Sequence, residues 1–306
     1  MNRLAILFSG QGGQAAGHWA FLHEQADAGI AEALLRCLPG WSAGCPPTAE
    51  QLAGNALAQP LIVAQQMLLW SRLAGRLPKP VCLAGYSLGE LSACAAAAGL
   101  VPATAIALAA ERARLMDAAA PGDYGMIAVL GLSEATVGEA ATVLGLEMAI
   151  RNGPAHFVLA GPLAGLPAAE AAFAARGASR VSRLAVRTPS HTPRLAAATP
   201  AFAAQLAGLP AKPLSFPVVS AVDAVAHRHT DRAFPALARQ LSSCLDWAGC
   251  LSAVRELQPD AVLEIGPGNA LARMWEELDS GIPARASDDF RTLDGLLGWL
   301  NRVLAT

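Results

Sequence analysis

The chain has 306 residues, long enough for one large domain or for a large domain with a smaller insert, and its formal charge of −2, with no run of basic residues, offers no electrostatic footprint for nucleic acid. Hydrophobic residues make up 54% and charged residues 15%, but the apolar positions are mostly Ala, interrupted by Gly, Pro, Arg or Glu, as in a compact, helix-rich soluble protein. The longest apolar stretch, about residues 91–103, is broken by Gly99 and Pro102 and falls short of the roughly 20 residues a membrane span needs, so no transmembrane helix is expected.

Met1-Asn2-Arg3 leads straight into Leu4-Ala5-Ile6-Leu7-Phe8, which is too short for a signal-peptide core and reads as a first buried strand before the turn Ser9-Gly10-Gln11-Gly12-Gly13. The prolines at Pro46-Pro47 mark a surface loop. Residues 81–85 form a second strand running into Ser87 and an Ala-rich helix. The middle of the chain changes character: a strand over 126–132, a helix opened by Ser133 and reaching about 144, strands over 147–151 and 156–160 around Asn152-Gly153-Pro154, a helix over 166–176 and a strand over 178–186. Residues 209–217, with three prolines, read as a second surface loop. A strand over 261–265 ends at Gly266-Pro267-Gly268, which lacks the Lys-Ser/Thr of a phosphate-binding loop and reads as structural.

Strand, tight turn and helix in alternation specify a parallel sheet with helices on its faces, and β-α-β-β-α-β is the ferredoxin-like order. The expected fold class is α/β: a parallel-sheet, α/β-hydrolase-like core (residues 1–126 and 188–306) carrying a small ferredoxin-like (βαββαβ) subdomain (residues 127–187). Active sites of such sheets lie at the carboxyl ends of the strands, so the turns at 9–13, 85–89 and 266–268 are candidates for one pocket.

The strongest chemical signal is Gly85-Tyr86-Ser87-Leu88-Gly89, a G-x-S-x-G pattern at the junction of strand and helix. A turn this sharp needs small residues on both sides of the serine and leaves its hydroxyl exposed at the helix N-terminus. Ser87 is the candidate nucleophile, and the Leu88 N–H, unpaired at the helix start, is placed to stabilise an oxyanion. A plain helix-capping serine is the competing reading of the bare pattern. Among six histidines, His191 in Thr188-Pro189-Ser190-His191-Thr192-Pro193 follows the last strand of the expected subdomain and is the candidate base; a surface histidine in a Pro-rich loop is the alternative. His18, His23, His156, His227 and His229 read as structural or exposed. Six scattered cysteines with no C-x-x-C pair suggest neither a zinc site nor a disulfide framework, so no metal is expected and a reducing cytoplasm fits.

Phe8-Ser9-Gly10-Gln11-Gly12, Gly85-Tyr86-Ser87-Leu88-Gly89-Glu90, Arg112 in Glu111-Arg112-Ala113-Arg114, Asn152-Gly153-Pro154, Ser190-His191 and Glu264-Ile265-Gly266-Pro267-Gly268 resemble, in order and spacing over nearly the whole chain, the malonyl-CoA:acyl carrier protein transacylases. The resemblance implies that Ser87 is acylated, that His191 is its base, and that Gln11 joins the Leu88 N–H in the oxyanion hole. It further implies that Arg112 grips the free malonyl carboxylate, that a main-chain carbonyl from Gln240 orients the histidine, and that Asn152 stands at the mouth of the cleft. Arg114 competes with Arg112, but about 200° separates them on a helix, so only one faces the pocket; for Asn152 plain turn chemistry is the other reading.

The implied reaction takes a malonyl group from its coenzyme A thioester to the phosphopantetheine-type thiol of an acyl carrier protein, with no cofactor beyond these substrates. Tyr86 replaces the family's common histidine and Ser9 a common proline. With Ser190-His191-Thr192-Pro193 and Asp288-Asp289-Phe290-Arg291-Thr292-Leu293, the chain looks most like the acyltransferase (epsilon) subunit of malonate decarboxylase, whose other subunits would then be partners; fatty-acid or polyketide synthesis is the alternative pathway. Two other classes compete. A serine esterase or thioesterase would need a carboxylate on its histidine, and of Glu90, Glu111, Asp117, Asp123, Glu134, Glu139, Glu147 and Glu170 none is compelling. An inactive carrier-docking subunit would not need Ser87, His191, Gln11 and Arg112 together.

Overall fold

A computed structural model describes residues 2–38, 41 and 46–305. Its strands are β1 (Leu4–Phe8), β2 (Cys82–Gly85), β3 (Tyr124–Leu130), β4 (Glu147–Gly153), β5 (His156–Pro162), β6 (Arg180–Leu184), β7 (Pro213–Val219), β8 (Ala226–His229), β9 (Leu245–Asp246), β10 (Ala261–Ile265) and β11 (Ala284–Ala286). The helices are α1 (Ala16–Gln25), α2 (Ala28–Cys37), α3 (Ala49–Ala53), α4 (Asn55–Leu73), α5 (Leu88–Ala98), α6 (Pro102–Ala119), α7 (Glu134–Leu144), α8 (Leu166–Ala175), α9 (Ala198–Ala207), α10 (Thr230–Arg239), α11 (Trp247–Glu256), α12 (Ala270–Leu278) and α13 (Leu293–Leu304).

Among the described residues two sheets form, a six-stranded one in the order β11-β10-β1-β2-β7-β8 and a five-stranded one in the order β6-β3-β5-β4-β9. The first is parallel except for β8. Its central strand β1 is buried along its whole length because both faces are covered: Leu4, Ile6 and Phe8 enter one apolar cluster with α4, α5 and α6, while Ala5 and Leu7 enter another with Trp247 and Trp275. The carboxyl ends of β1 and β2 are thereby fixed side by side, Phe8 opposite Gly85.

The second sheet is antiparallel except where β9 joins β4. Strands β3, β4, β5 and β6 with α7 and α8 follow the β-α-β-β-α-β order expected from the sequence, and Ser133 caps α7 by accepting from the Thr136 N–H. The first strand starts at Tyr124 rather than 126, and the last ends at Leu184 rather than 186. The fifth strand was not foreseen: Leu245 and Asp246, a two-residue segment with no strand signal of its own, pair with Ile150 and Arg151.

Two expectations need correction. Residues 209–217 are not simply a loop, since Pro213 and Pro217 lie inside β7. Proline is tolerated there because β7 meets β2 only at Val218 and Val219 and its pairing with β8 is shifted between Pro213 and Val218, so neither ring removes a needed donor. The Gly266-Pro267-Gly268 turn does not line the pocket with the other two. It buttresses the first from behind: a Cβ on Gly13 would stand 2.5 Å from Pro267 O and one on Gly266 2.3 Å from Ser9 Oγ.

Candidate active site

Ser87 sits between β2 and α5 with φ +52°, a left-handed conformation costly for a non-glycine residue and the mark of a sharp strand-to-helix turn. The flanking glycines are sterically required. A Cβ on Gly85 would come 2.1 Å from Glu90 N and one on Gly89 2.0 Å from Phe8 O, both backbone atoms. The turn therefore clamps the nucleophile between its own helix and the end of β1.

Ser87 Oγ lies 2.7 Å from His191 Nε2. The other ring nitrogen, Nδ1, lies 2.5 Å from the Gln240 main-chain oxygen, an acceptor only, so Nδ1 carries the proton and Nε2 accepts from the serine hydroxyl. His191 has φ +64°, and its own N–H donates to Leu241 O at 2.9 Å, which anchors it to the chain just after α10. Burial, and then the nearby Arg112 charge, lower its pKa to about 3, against the opposing bond to Gln240. The imidazole is thus neutral and basic at Nε2. With a carbonyl at Nδ1, none of the candidate carboxylates orients the ring; Glu90, fully buried, instead accepts from Ala221 N–H at 3.2 Å and Gln240 Nε2 at 2.9 Å.

A cavity of about 60 Å³ opens beside this pair, lined among others by Gln11, Leu88, Arg112 and Ser190. Arg112 on α6 is 1% exposed and donates to Gln59 Oε1 at 2.9 Å and Gln240 Oε1 at 3.1 Å, two neutral acceptors. Burial lowers its pKa to about 10, against the attraction of Glu90, so it stays charged at neutral pH. Arg114 points away and pairs with Glu111 at the surface. A buried cation whose direct partners are amides is poised for an anion.

The Gln11 side-chain amide donates to Ala53 O at 2.9 Å, which leaves the main-chain N–H of this turn as the group it has to offer a negative oxygen. Asn152 does not line the cavity. It lies near the end of β4, with Nδ2 3.4 Å from His156 Nε2, and its side chain hydrogen-bonds Tyr86, which does line the cavity and packs edge-on against Trp247. A larger depression of about 750 Å³, lined by Asn2, Pro259 and Ile282, lies at the amino ends of β1, β10 and β11, away from the nucleophile. Among the described residues no cluster suited to a metal ion occurs; Cys45 is outside them, and the other five cysteines are unbonded.

Sequence reasoning missed Gln59 and the contact that Glu90 makes with Gln240. A signal for the first existed: Asn55, Gln59, Gln65 and Gln66 are amides spaced along a stretch of α4 that is otherwise apolar up to Trp70, and all are buried.

The chain is similar to known acyltransferases. A family model described as the acyl transferase domain matches residues 6–281. The malonyl CoA-acyl carrier protein transacylase of Mycobacterium tuberculosis (strain ATCC 25618 / H37Rv) is 33% identical over 300 residues, covering 96% of this chain and 99% of that protein; its namesake in Escherichia coli (strain K12) is 29% identical, covering 94% and 97%. The crystal structure of malonyl-CoA:acyl carrier protein transacylase from Xanthomonas oryzae superposes with a TM-score of 0.85 at 32% identity, covering 99% of each chain. A malonyl-transacylase in complex with its type II PKS acyl-carrier protein gives a TM-score of 0.86 at 27% identity, covering 98% of this chain and 100% of that one.

Proposed function

Since the chain belongs to the acyl transferase domain family and is an acyltransferase, we propose that it moves a malonyl group from coenzyme A to the thiol of an acyl carrier protein through a malonyl ester on Ser87. The observation that carries this reading is the buried Arg112 guanidinium, met only by amide oxygens, in the same cavity as the Ser87–His191 pair.

In the first half-reaction Ser87 Oγ attacks the thioester carbonyl while His191 Nε2 takes its proton. The N–H groups of Leu88 and Gln11 receive the oxyanion. The C–S bond breaks, and the departing coenzyme A sulfur takes the proton from His191. In the second half the carrier thiol gives its proton to His191 and attacks the ester carbonyl, and Ser87 leaves with that proton. Arg112 binds the free carboxylate through two parallel hydrogen bonds, and the Gln240 carbonyl holds the imidazole in the working tautomer. Acetyl-CoA would leave the guanidinium buried without its anion, so malonyl is preferred.

Proposed likewise are a hydrolase-like core of residues 1–126 and 188–306 and a ferredoxin-like subdomain of 127–187, whose meeting line forms the cleft. The expected priming of malonate decarboxylase gains no support from the relatives named above, which are carrier-protein transacylases; fatty-acid or polyketide synthesis is the pathway better supported. Intact-protein mass spectrometry after brief mixing with malonyl-CoA tests the reading. A malonyl adduct is expected that is absent from Ser87→Ala and discharges to a phosphopantetheinylated carrier. An adduct lost only to water would make the protein a thioesterase instead, and no adduct with any acyl-CoA would leave a docking subunit.

A further inference from the structure

Gln240, the residue capping the end of α10, is fully buried, and three site groups meet on it. Its main-chain oxygen faces His191 Nδ1, its Oε1 accepts from Arg112 Nη2 at 3.1 Å, and its Nε2 donates to Glu90 Oε2 at 2.9 Å. A carboxamide has nearly the same shape with its oxygen and nitrogen exchanged. Rotated by half a turn, this one would set N–H donors against a guanidinium that has only donors, and Arg112 would lose one of the two contacts that fix its fork.

We infer that Glu90 is a positioning residue for acyl-group selectivity, locking the Gln240 amide with its oxygen toward Arg112. The inference rests on the malonyl-transfer reading and deepens it. Glu90 lies in the first turn of α5, three residues after the nucleophile, and also accepts from the Ala221 N–H just beyond β7. Burial raises its pKa to about 7, but Oε2 also takes the Ala221 N–H and so stays an acceptor whether or not Oε1 carries a proton, and the nitrogen end of the amide is the end it selects. The Ser220 side chain also lies against this carboxyl, and what Glu90 supplies to Gln240 is one oriented oxygen, Oε2. It does not line the cavity and does not bond His191. The Gln240 main chain is held independently, by its N–H donating to Ala236 O at 3.1 Å. Loss of the side-chain lock therefore disturbs the arginine and spares the base.

The test measures kcat and KM for malonyl-CoA and acetyl-CoA on Glu90→Met, Glu90→Gln and Gln240→Met, with wild type in parallel. Glu90→Met raises the malonyl-CoA KM and lowers the malonyl-to-acetyl ratio of kcat/KM, each about tenfold, with kcat within about threefold of wild type. Gln240→Met keeps the main-chain carbonyl and reproduces that pattern. Glu90→Gln restores the ratio, because its one oxygen can accept both N–H bonds now taken by Oε2 while its NH2 takes the place of Oε1. The inference is overturned if either Met variant keeps the wild-type ratio, if activity falls equally for both donors, or if Glu90→Gln is as damaged as Glu90→Met. Should Glu90→Met not fold, Glu90→Ala, which removes the carboxylate without adding bulk, takes its place, since Gln240→Met tests the amide and not the residue that holds it. A wild-type protein that takes no malonyl adduct sinks the functional reading and this inference with it.

Discussion

A base must be unprotonated to act, and the surroundings of His191 hold it so far below neutrality that ordinary pH changes do not touch it. A free imidazole titrates near 6.5; here burial and the Arg112 charge lower the pKa to about 3. The pH profile of kcat/KM for malonyl-CoA, which reports groups of the free enzyme, is therefore expected to carry no acid limb from His191; burial raises the Glu90 carboxyl to about 7, so any limb near 7 belongs to that group and vanishes in Glu90→Gln. A limb centred at 6 to 7 that persists in Glu90→Gln would contradict this placement. The same shift has a stability counterpart. Between about pH 3 and 6.5 the unfolded chain binds a proton at His191 that the folded one refuses, so this residue makes stability rise with pH through that window and contributes no slope above it. Arg112 carries the complementary prediction. Its replacement by Ala removes the carboxylate's partner, worth about 1–3 kcal/mol, so the malonyl-to-acetyl ratio of kcat/KM should drop by roughly 5- to 150-fold. An Arg112→Ala protein with full malonyl selectivity would mean another group reads the carboxylate.

At the level of elements, the turn between β2 and α5 can be tested through its glycines. Gly89→Ala forces a Cβ to 2.0 Å from Phe8 O, and since backbone cannot yield cheaply, a loss of about 2–4 kcal/mol is expected together with displacement of Ser87. Gly138 in α7 has nothing within 4 Å of an added Cβ, so Gly138→Ala should stabilise by up to about 1 kcal/mol. Thermal denaturation of the two variants should move in opposite directions; a shared direction would show that helix propensity or strain was misjudged. This turn was legible in the sequence because a sharp turn leaves a compositional trace, small residues around an exposed serine. The strands β1, β2 and β10 were legible for a similar reason, as short apolar runs ending at Gly. Strand β7 was not, because proline within an irregular pairing looks the same as proline in a loop. Strand β9 was not, because its two residues pair through partners supplied from far along the chain. The lining of the cavity followed the same rule. Ser87 and His191 stand in telling local contexts, while Gln59 and Glu90 matter only through what folds against them.

For the molecule as a whole, the two sheets keep an apolar cluster each on their far faces and share a third where they meet. Met126, Ala128, Ile150, Val158 and Ala160 from the antiparallel sheet share an apolar cluster with Ala5, Leu7, Ala84 and Val219 from the parallel one, and Trp247 lies buried within it. Strand β9 leads directly into Trp247 at the head of α11, so the segment that pairs with β4 also anchors that helix. A shared core couples the loss of one sheet to the loss of the other, because neither can expose its face without exposing its neighbour's. One cooperative unfolding transition is expected, with far-ultraviolet circular dichroism and tryptophan fluorescence coinciding. Trp247→Ala removes the ring that packs against Tyr86 on the cavity wall and leaves a void at the junction, which should cost about 3–5 kcal/mol and shift that single transition downward without splitting it. Two resolved transitions, with only one moved by Trp247→Ala, would mean that the sheets are thermodynamically separate and that the cleft between them can open as a hinge. A single shifted transition would mean instead that Ser87 and the strands facing it across the cavity, β3 to β5, are held by one core, so that substrate is selected by a preformed pocket.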